Sequence, residues 1–91
     1  MKKVRWNALK SERLKKTRGV SFEEIIRAKL VGVLRHPNRT HQSILVYDHK
    51  GYLWAVPYVA EGDSIFLKTI YPSRKLMNKY RRRNHEKDQT D

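Results

Sequence analysis

Ser43-Ile44-Leu45-Val46-Tyr47-Asp48-His49-Lys50-Gly51-Tyr52-Leu53-Trp54-Ala55-Val56-Pro57-Tyr58-Val59 decides the fold of this 91-residue chain. Two β-branched and aromatic runs, Ser43 to Asp48 and Tyr52 to Val59, flank His49-Lys50-Gly51, a connection short enough for an antiparallel hairpin. Pro57 has no N–H to give a ladder, so its position belongs at a bulge, a strand end or an unpaired edge. Outward from the hairpin, Val31 to Arg35 and Ile65 to Tyr71 have the same strand character, set off by Pro37 to His41 and by Glu61-Gly62-Asp63. A four-stranded antiparallel meander is expected.

Helices are expected on both sides of it. Asn7 stands at an N-cap position, Ala8 to Arg18 consists mostly of helix formers with Leu9 and Leu14 as sparse apolar contacts, and Gly19 suits a left-handed residue past the end. Ser21-Phe22-Glu23-Glu24 is a capping box, and Phe22, Ile25, Ile26 and Leu30 place apolar residues on one face of a second helix reaching about Leu30. Pro72-Ser73 opens a last helix to about Arg83, with Leu76 and Tyr80 turned inward. The expected fold class is α+β: two N-terminal helices, a four-stranded antiparallel sheet and a C-terminal helix, forming one domain over 1–83 with a polar tail at 84–91.

Charge is concentrated at the two ends. Residues 1–18 carry eight Lys/Arg against Glu12, and residues 73–91 carry seven against Glu86, Asp88 and Asp91, while 19–72 is nearly neutral. A small apolar module with basic flanks suits a polyanion, because each Lys or Arg that neutralises a phosphate releases a condensed counterion. Solubility or an acidic protein partner would also account for basic ends. In this reading the two terminal helices form one positive face. Without cysteine there is no disulfide, thiolate nucleophile or Cys-based zinc site, and a reducing, cytoplasmic setting is expected. No signal peptide and no membrane span is read in the chain.

The chemistry the residues allow is narrow. His36, His41, His49 and His85 are scattered without carboxylate or Cys neighbours at ligand spacing, so no metal is expected. No phosphate-cradling glycine motif is present, so no nucleotide cofactor is expected. What remains is Phe66-Leu67-Lys68-Thr69-Ile70-Tyr71-Pro72-Ser73-Arg74-Lys75, which delivers Lys68, Tyr71 and Arg74 to the start of a basic helix. RNA cleavage needs little more, since the 2′-OH of ribose is itself the nucleophile. Arg74 would stabilise the phosphorane, with Tyr71 or Lys68 moving the proton. Strand alternation puts Phe66, Lys68 and Ile70 on one face and Leu67, Thr69 and Tyr71 on the other, and Lys68 then reads equally as a solvated rim lysine. Ser73 reads as a cap rather than a nucleophile. Trp6, Trp54, Tyr52 and Tyr58 suit base stacking or, more commonly, a core. His41, in a loop at a strand entrance, is the histidine best placed to serve as a base. Lys10, Arg13, Arg18, His41, Lys75, Arg81 and Arg82 complete the expected RNA-binding set.

Trp6, Lys10, Gly19-Val20-Ser21-Phe22-Glu23-Glu24, the four strands, and Ser73-Arg74-Lys75 before a basic helix resemble the BrnT-like toxins of bacterial type II toxin–antitoxin modules, over roughly residues 4–83. The resemblance implies a RelE-like fold and a ribonuclease that blocks translation. It also implies a cognate antitoxin, often a ribbon-helix-helix protein, with the pair binding operator DNA. It carries over Lys10, Arg74 and, less directly, Arg18. The chain has Thr17-Arg18 where the family commonly has Lys-His, and Leu14 where it commonly has Asn. Metal-independent cleavage of mRNA is the leading expectation. A non-catalytic basic nucleic-acid-binding protein, or a topoisomerase-inhibiting toxin of similar fold, is the alternative.

Overall fold

The computed structural model describes residues 3–36, 38, 39 and 41–80. In chain order these form β1 (Lys3–Arg5), α1 (Ala8–Arg18), α2 (Phe22–Ile25), β2 (Lys29–Arg35), β3 (Gln42–His49), β4 (Tyr52–Glu61), β5 (Ser64–Leu67) and β6 (Tyr71–Pro72), followed by a helix, α3, over 74–80. The expected hairpin is β3–β4, paired from Gln42↔Val59 to His49↔Tyr52. Its turn uses two left-handed residues, Lys50 at φ 55° and Gly51 at φ 79°.

The sheet has more strands than the four expected, and it is mixed rather than wholly antiparallel. Its order is β1-β5-β4-β3-β2, with β6 also paired to β4. β1, a three-residue strand too short to show a period, pairs parallel to β5 from Lys3↔Ser64 to Arg5↔Phe66. The expected strand from Ile65 to Tyr71 is two strands. Lys68 N–H donates to the Pro57 carbonyl at 2.8 Å, and continuing the β4–β5 register puts these residues opposite each other. Proline cannot return the second bond of that pair, and the register moves by one residue before β6 pairs Tyr71 with Ala55. Cross-strand partners share a face, and Phe66 faces Val59. Tyr71 therefore shares the face of Phe66, against the simple alternation expected from the sequence.

Helices cover both faces. Leu14, Val20, Phe22 and Ile25 pack with Leu45, Tyr47, Val56, Leu67 and Ile70 on the first face. Leu76 packs with Ile44, Val46, Leu53 and Ala55 on the second, where Tyr71, Met77 and Tyr80 adjoin them. The two terminal helices thus lie on opposite sides of the sheet, so the single positive face expected of them is not formed.

At the N-terminal end, Asn7 caps α1 through Lys10 N–H at 3.0 Å, and Gly19 closes it in the left-handed region at φ 80°. Leu9 is not a contact residue, being 71% exposed; the buried positions of α1 are Ser11 and Leu14. Ser11 bonds rather than packs. Its hydroxyl accepts from Phe22 N–H and donates to Glu23, each at 2.9 Å, and Trp6 Nε1–H reaches the other Glu23 oxygen at 2.9 Å. α2 is one turn, held by the capping box of Ser21 and Glu24, and does not reach Leu30. Lys29 and Leu30 pair with Asp48 and Tyr47 instead, because the sheet ladder satisfies more backbone than a second helical turn would.

Two carboxylates in this junction are held ionised. Burial opposes the charged form of Glu23, yet hydrogen bonds from Ser11, its own backbone N–H, Trp6 and Ser21 together pull it below its usual range. The hydrogen bond from Lys15, with those of Ser21, lowers Glu24 from 4.5 to about 2. Between those values the unfolded chain binds more protons than the folded one, so stability rises with pH. Glu24 thus contributes fully above pH 4.5 and loses its contribution as the pH falls toward about 2. Acid unfolding followed by circular dichroism is expected to show a shallower loss over that window in Glu24→Gln than in the parent.

Candidate functional site

On the second face, beside α3, lies a cleft of about 490 Å³. Leu34, Ile44 and Leu76 form its apolar lining, and Tyr71, Ser73, Lys75 and Lys79 reach it from β6 and α3. Arg35 and His36 reach it from the end of β2. Among the described residues, three cations and no carboxylate line it. A second cleft of about 420 Å³ at the other end of α3 differs in charge, since Asp48 stands among its lining residues with Lys29.

The register move at Pro57 builds one wall of the larger cleft. It turns Tyr71 toward α3 and leaves Ile70 fully buried in the opposite core. Ser73 then starts the helix as expected of a cap: its hydroxyl accepts Leu76 N–H at 3.2 Å, and its own N–H donates to the Leu53 carbonyl at 3.1 Å. Met77 sulfur accepts Leu53 N–H at 3.3 Å, so the helix is also fastened to β4 by its own side chain.

The expected site residues are divided by the fold. Tyr71 and Lys75 line the cleft; Arg74 is exposed at the first residue of α3, between the lining residues Ser73 and Lys75. Lys68 is exposed, with Nζ 5.6 Å from the centre of the Phe66 ring. Lys10 and Arg13 are exposed on α1, across the sheet from the cleft. Arg18 donates to the Ile70 carbonyl and, at 3.5 Å, to the Thr69 hydroxyl, which ties the end of α1 to the segment between β5 and β6. His41 is exposed in the turn before β3 and is not part of the cleft lining. Arg81 and Arg82, with the expected tail at 84–91, lie outside the described residues.

Arg35, His36 and Lys79 were not among the site residues read from the sequence. Arg35 and His36 look there like the end of a strand before a loop, and only the packing of α3 beside that end gives them a shared cavity with Tyr71. The aromatic residues are mainly structural: Trp6, Trp54 and Tyr58 pack against the first core. Among the described residues no group of three or more His, Asp or Glu side chains could hold a metal ion. No described helix is long and apolar enough to cross a membrane.

An α+β architecture with a mixed sheet carrying helices on both faces defines the class of fold. The fold is similar to that in a crystal structure of the Brucella abortus ribonuclease toxin BrnT, with a TM-score of 0.55 at 16% identity, over 82% of this chain and all of that one. The fold is BrnT-like. No protein-family model matches the sequence, and no curated protein matches it either.

At the smaller cleft, α3 comes close to β2 where residue 32 has no side chain. A Cβ at Gly32 would run into the Tyr80 hydroxyl and stand 3.5 Å from the ring carbon that bears it, and Tyr80 is part of the α3 packing. Gly32→Ala is expected to cost about 1 kcal/mol or less in urea unfolding, because the colliding atom is the far end of the half-exposed Tyr80 side chain, which can swing aside. Adding Tyr80→Phe removes the colliding oxygen and is expected to recover most of that loss, so the two changes are not additive.

Proposed function

We propose that this chain is a toxin-type, metal-independent endoribonuclease that cleaves mRNA and so inhibits translation. The single observation that carries this reading is a cationic cleft on a BrnT-like fold, lined by Tyr71 and, among the described residues, by no carboxylate, with Arg74 exposed on α3 between two of its lining residues. Phosphodiester cleavage through ribose fits such a site because the substrate brings its own nucleophile. O2′ bonds to the adjacent phosphorus while the P–O5′ bond breaks, and the proton lost by O2′ is balanced by the one gained at O5′. Tyr71 and Lys68 are the proton-carrying groups in this reading. Arg74 and Lys75 offset charge on the phosphorane oxygens, which become more negative as O2′ attacks.

The reading brings partners with it. A cognate antitoxin, in this proposal a small ribbon-helix-helix protein with acidic segments, neutralises the cationic cleft, and the pair binds operator DNA in the cytoplasm. Nothing in the reaction calls for a cofactor.

The test is induced expression with mapping of RNA 5′ ends, together with cleavage by the purified protein. The parent is expected to arrest growth and leave new 5′-hydroxyl ends. Arg74→Ala and Tyr71→Phe are expected to lower cleavage about 100-fold or more while remaining folded. A chelator is expected to leave the rate unchanged. Growth arrest without new RNA ends would replace this reading with a topoisomerase-inhibiting toxin of similar fold, and absence of arrest with a non-catalytic nucleic-acid-binding protein.

A further inference from the structure

Part of the second face carries no helix. β1 pairs Arg5 with Phe66, β5 pairs Phe66 with Val59, and β3 pairs Gln42 with Val59, so these side chains stand in one row across the sheet. The row lies on the second face, because Val59 follows Tyr58 in β4 and Tyr58 packs against the first core. Leu76 of α3 packs on Ile44, Val46, Leu53 and Ala55, and among the described residues neither Phe66 nor Val59 packs in either core.

Phenylalanine ordinarily fills a core, and here it stands half-buried outside both. Two exposed cations border it: Arg5 across the sheet and Lys68 along the chain, with Lys68 Nζ 5.6 Å from the ring centre. In the next row Lys3 shares the face with Ser64 and Glu61, and Asp63 lies beyond in the turn. The ring itself thus has cations as its nearest charged neighbours, with the carboxylates toward one end. Such a surface suits a ligand that alternates a flat apolar face with an anion. Single-stranded nucleic acid does so, since its bases stack on aromatic side chains and its phosphates pair with Arg and Lys. An acidic peptide supplies the charge without the flat face.

The surface also adjoins the larger cleft. Gln42, at the end of the row, is two residues from Ile44 in the cleft lining. Phe66 is therefore about 12 Å from Ile44, two strand spacings across and two residues along. At about 3.4 Å per nucleotide in a stacked strand, and more in an extended one, no more than about four nucleotides cover that span.

We propose that this open part of the second face is a further RNA subsite, in which the Phe66 ring stacks on a base and Arg5 pairs with a phosphate beside it, while the same strand passes into the cleft. The inference rests on the ribonuclease reading for the strand being a substrate. Stacking on Phe66 and pairing with Arg5 do not depend on that reading.

The experiment uses the full chain and a set of fluorescent probes: a single-stranded 2′-deoxy oligonucleotide, which lacks the nucleophile and reports binding alone; the same backbone with abasic sites in place of its bases; the all-ribose strand, which also reports cleavage; and a short polyglutamate. Phe66→Ala is expected to weaken binding of the deoxy strand about tenfold, the loss of one stacked base, and that of the abasic strand by less than about twofold. Phe66→Leu keeps apolar volume without the ring and is expected to follow Phe66→Ala, whereas Phe66→Trp is expected to bind at least as tightly as the parent. Arg5→Gln is expected to weaken both strands and to lower the slope of log affinity against log salt by about one. Arg27→Gln removes an exposed charge just past α2, on the other side of the sheet, and is expected to stay within about threefold of the parent. On the ribose strand, Phe66→Ala is expected to raise KM with kcat nearly unchanged.

Folded Phe66→Leu and Phe66→Ala proteins that bind the deoxy strand as the parent does, or that lose the abasic strand equally, overturn the inference. So does a loss confined to polyglutamate, which assigns the face to an acidic protein segment. If the parent cleaves the ribose strand and Phe66→Ala does so with the parent's KM, the inference fails and the ribonuclease reading survives. If the deoxy strand binds through Phe66 and Arg5 but the parent cuts nothing, the subsite stands and the ribonuclease reading fails.

Discussion

The missing N–H of Pro57 is the constraint on which the second half of the fold depends. Pro57 is buried in β4, where a proline would ordinarily break a ladder. The chain opposite it accommodates the loss by moving one residue in register, so that β5 and β6 pair with the same strand on either side of the move. The consequences are all local. Ile70 enters the first core, its carbonyl accepts from Arg18, and Tyr71 turns to the face where α3 packs. Without the move, Tyr71 would fall on the α1 side and the cleft would lose its aromatic wall.

A second junction, at the other end of the chain, holds α1 to the sheet with few apolar residues. The sequence of α1 is so polar that only Leu14 and Ser11 are buried. Phe22 compensates: it is fully buried, and truncating such a side chain costs about 3–5 kcal/mol. The exposed Lys15–Glu24 pair, at 2.7 Å, orders the two helices more than it stabilises them, because water competes for both partners. The hydrogen bonds of Glu23 to Trp6 and Ser11 fix the direction in which Phe22 enters the core.

What was legible in the sequence follows from how local each signal is. The Asn7 cap, Gly19, the Ser21–Glu24 capping box and the β3–β4 hairpin are written in residues within four or five positions of one another, and the structure agrees with them. β1 was not legible, because three exposed residues have no period and pair only with a strand some sixty residues away. The early end of α2 was hidden for a related reason. Ile26 and Leu30 keep helical spacing, but pairing of Lys29 and Leu30 with β3 overrides it. In the cleft, Tyr71 and Lys75 announce themselves as part of a basic strand-to-helix corner. Arg35, His36 and Lys79 join them only through the packing of α3.

Net charge suggests a class of partner without marking a site. The basic N-terminal segment, the most cationic part of the sequence, contributes α1 to the far side of the sheet. A packed layer separates elements by about 10 Å, whereas the Debye length at physiological ionic strength is about 8 Å. Charges on α1 are thus largely screened from a phosphate in the cleft, although they still add to the long-range field that draws a polyanion toward the molecule. In the proposed ribonuclease reading, binding at short range falls to the few cations that share the cavity with Tyr71. Among the described residues they are few beside the net charge of the chain, and no carboxylate lines the cleft with them, so short-range geometry rather than total charge sets what that surface can hold.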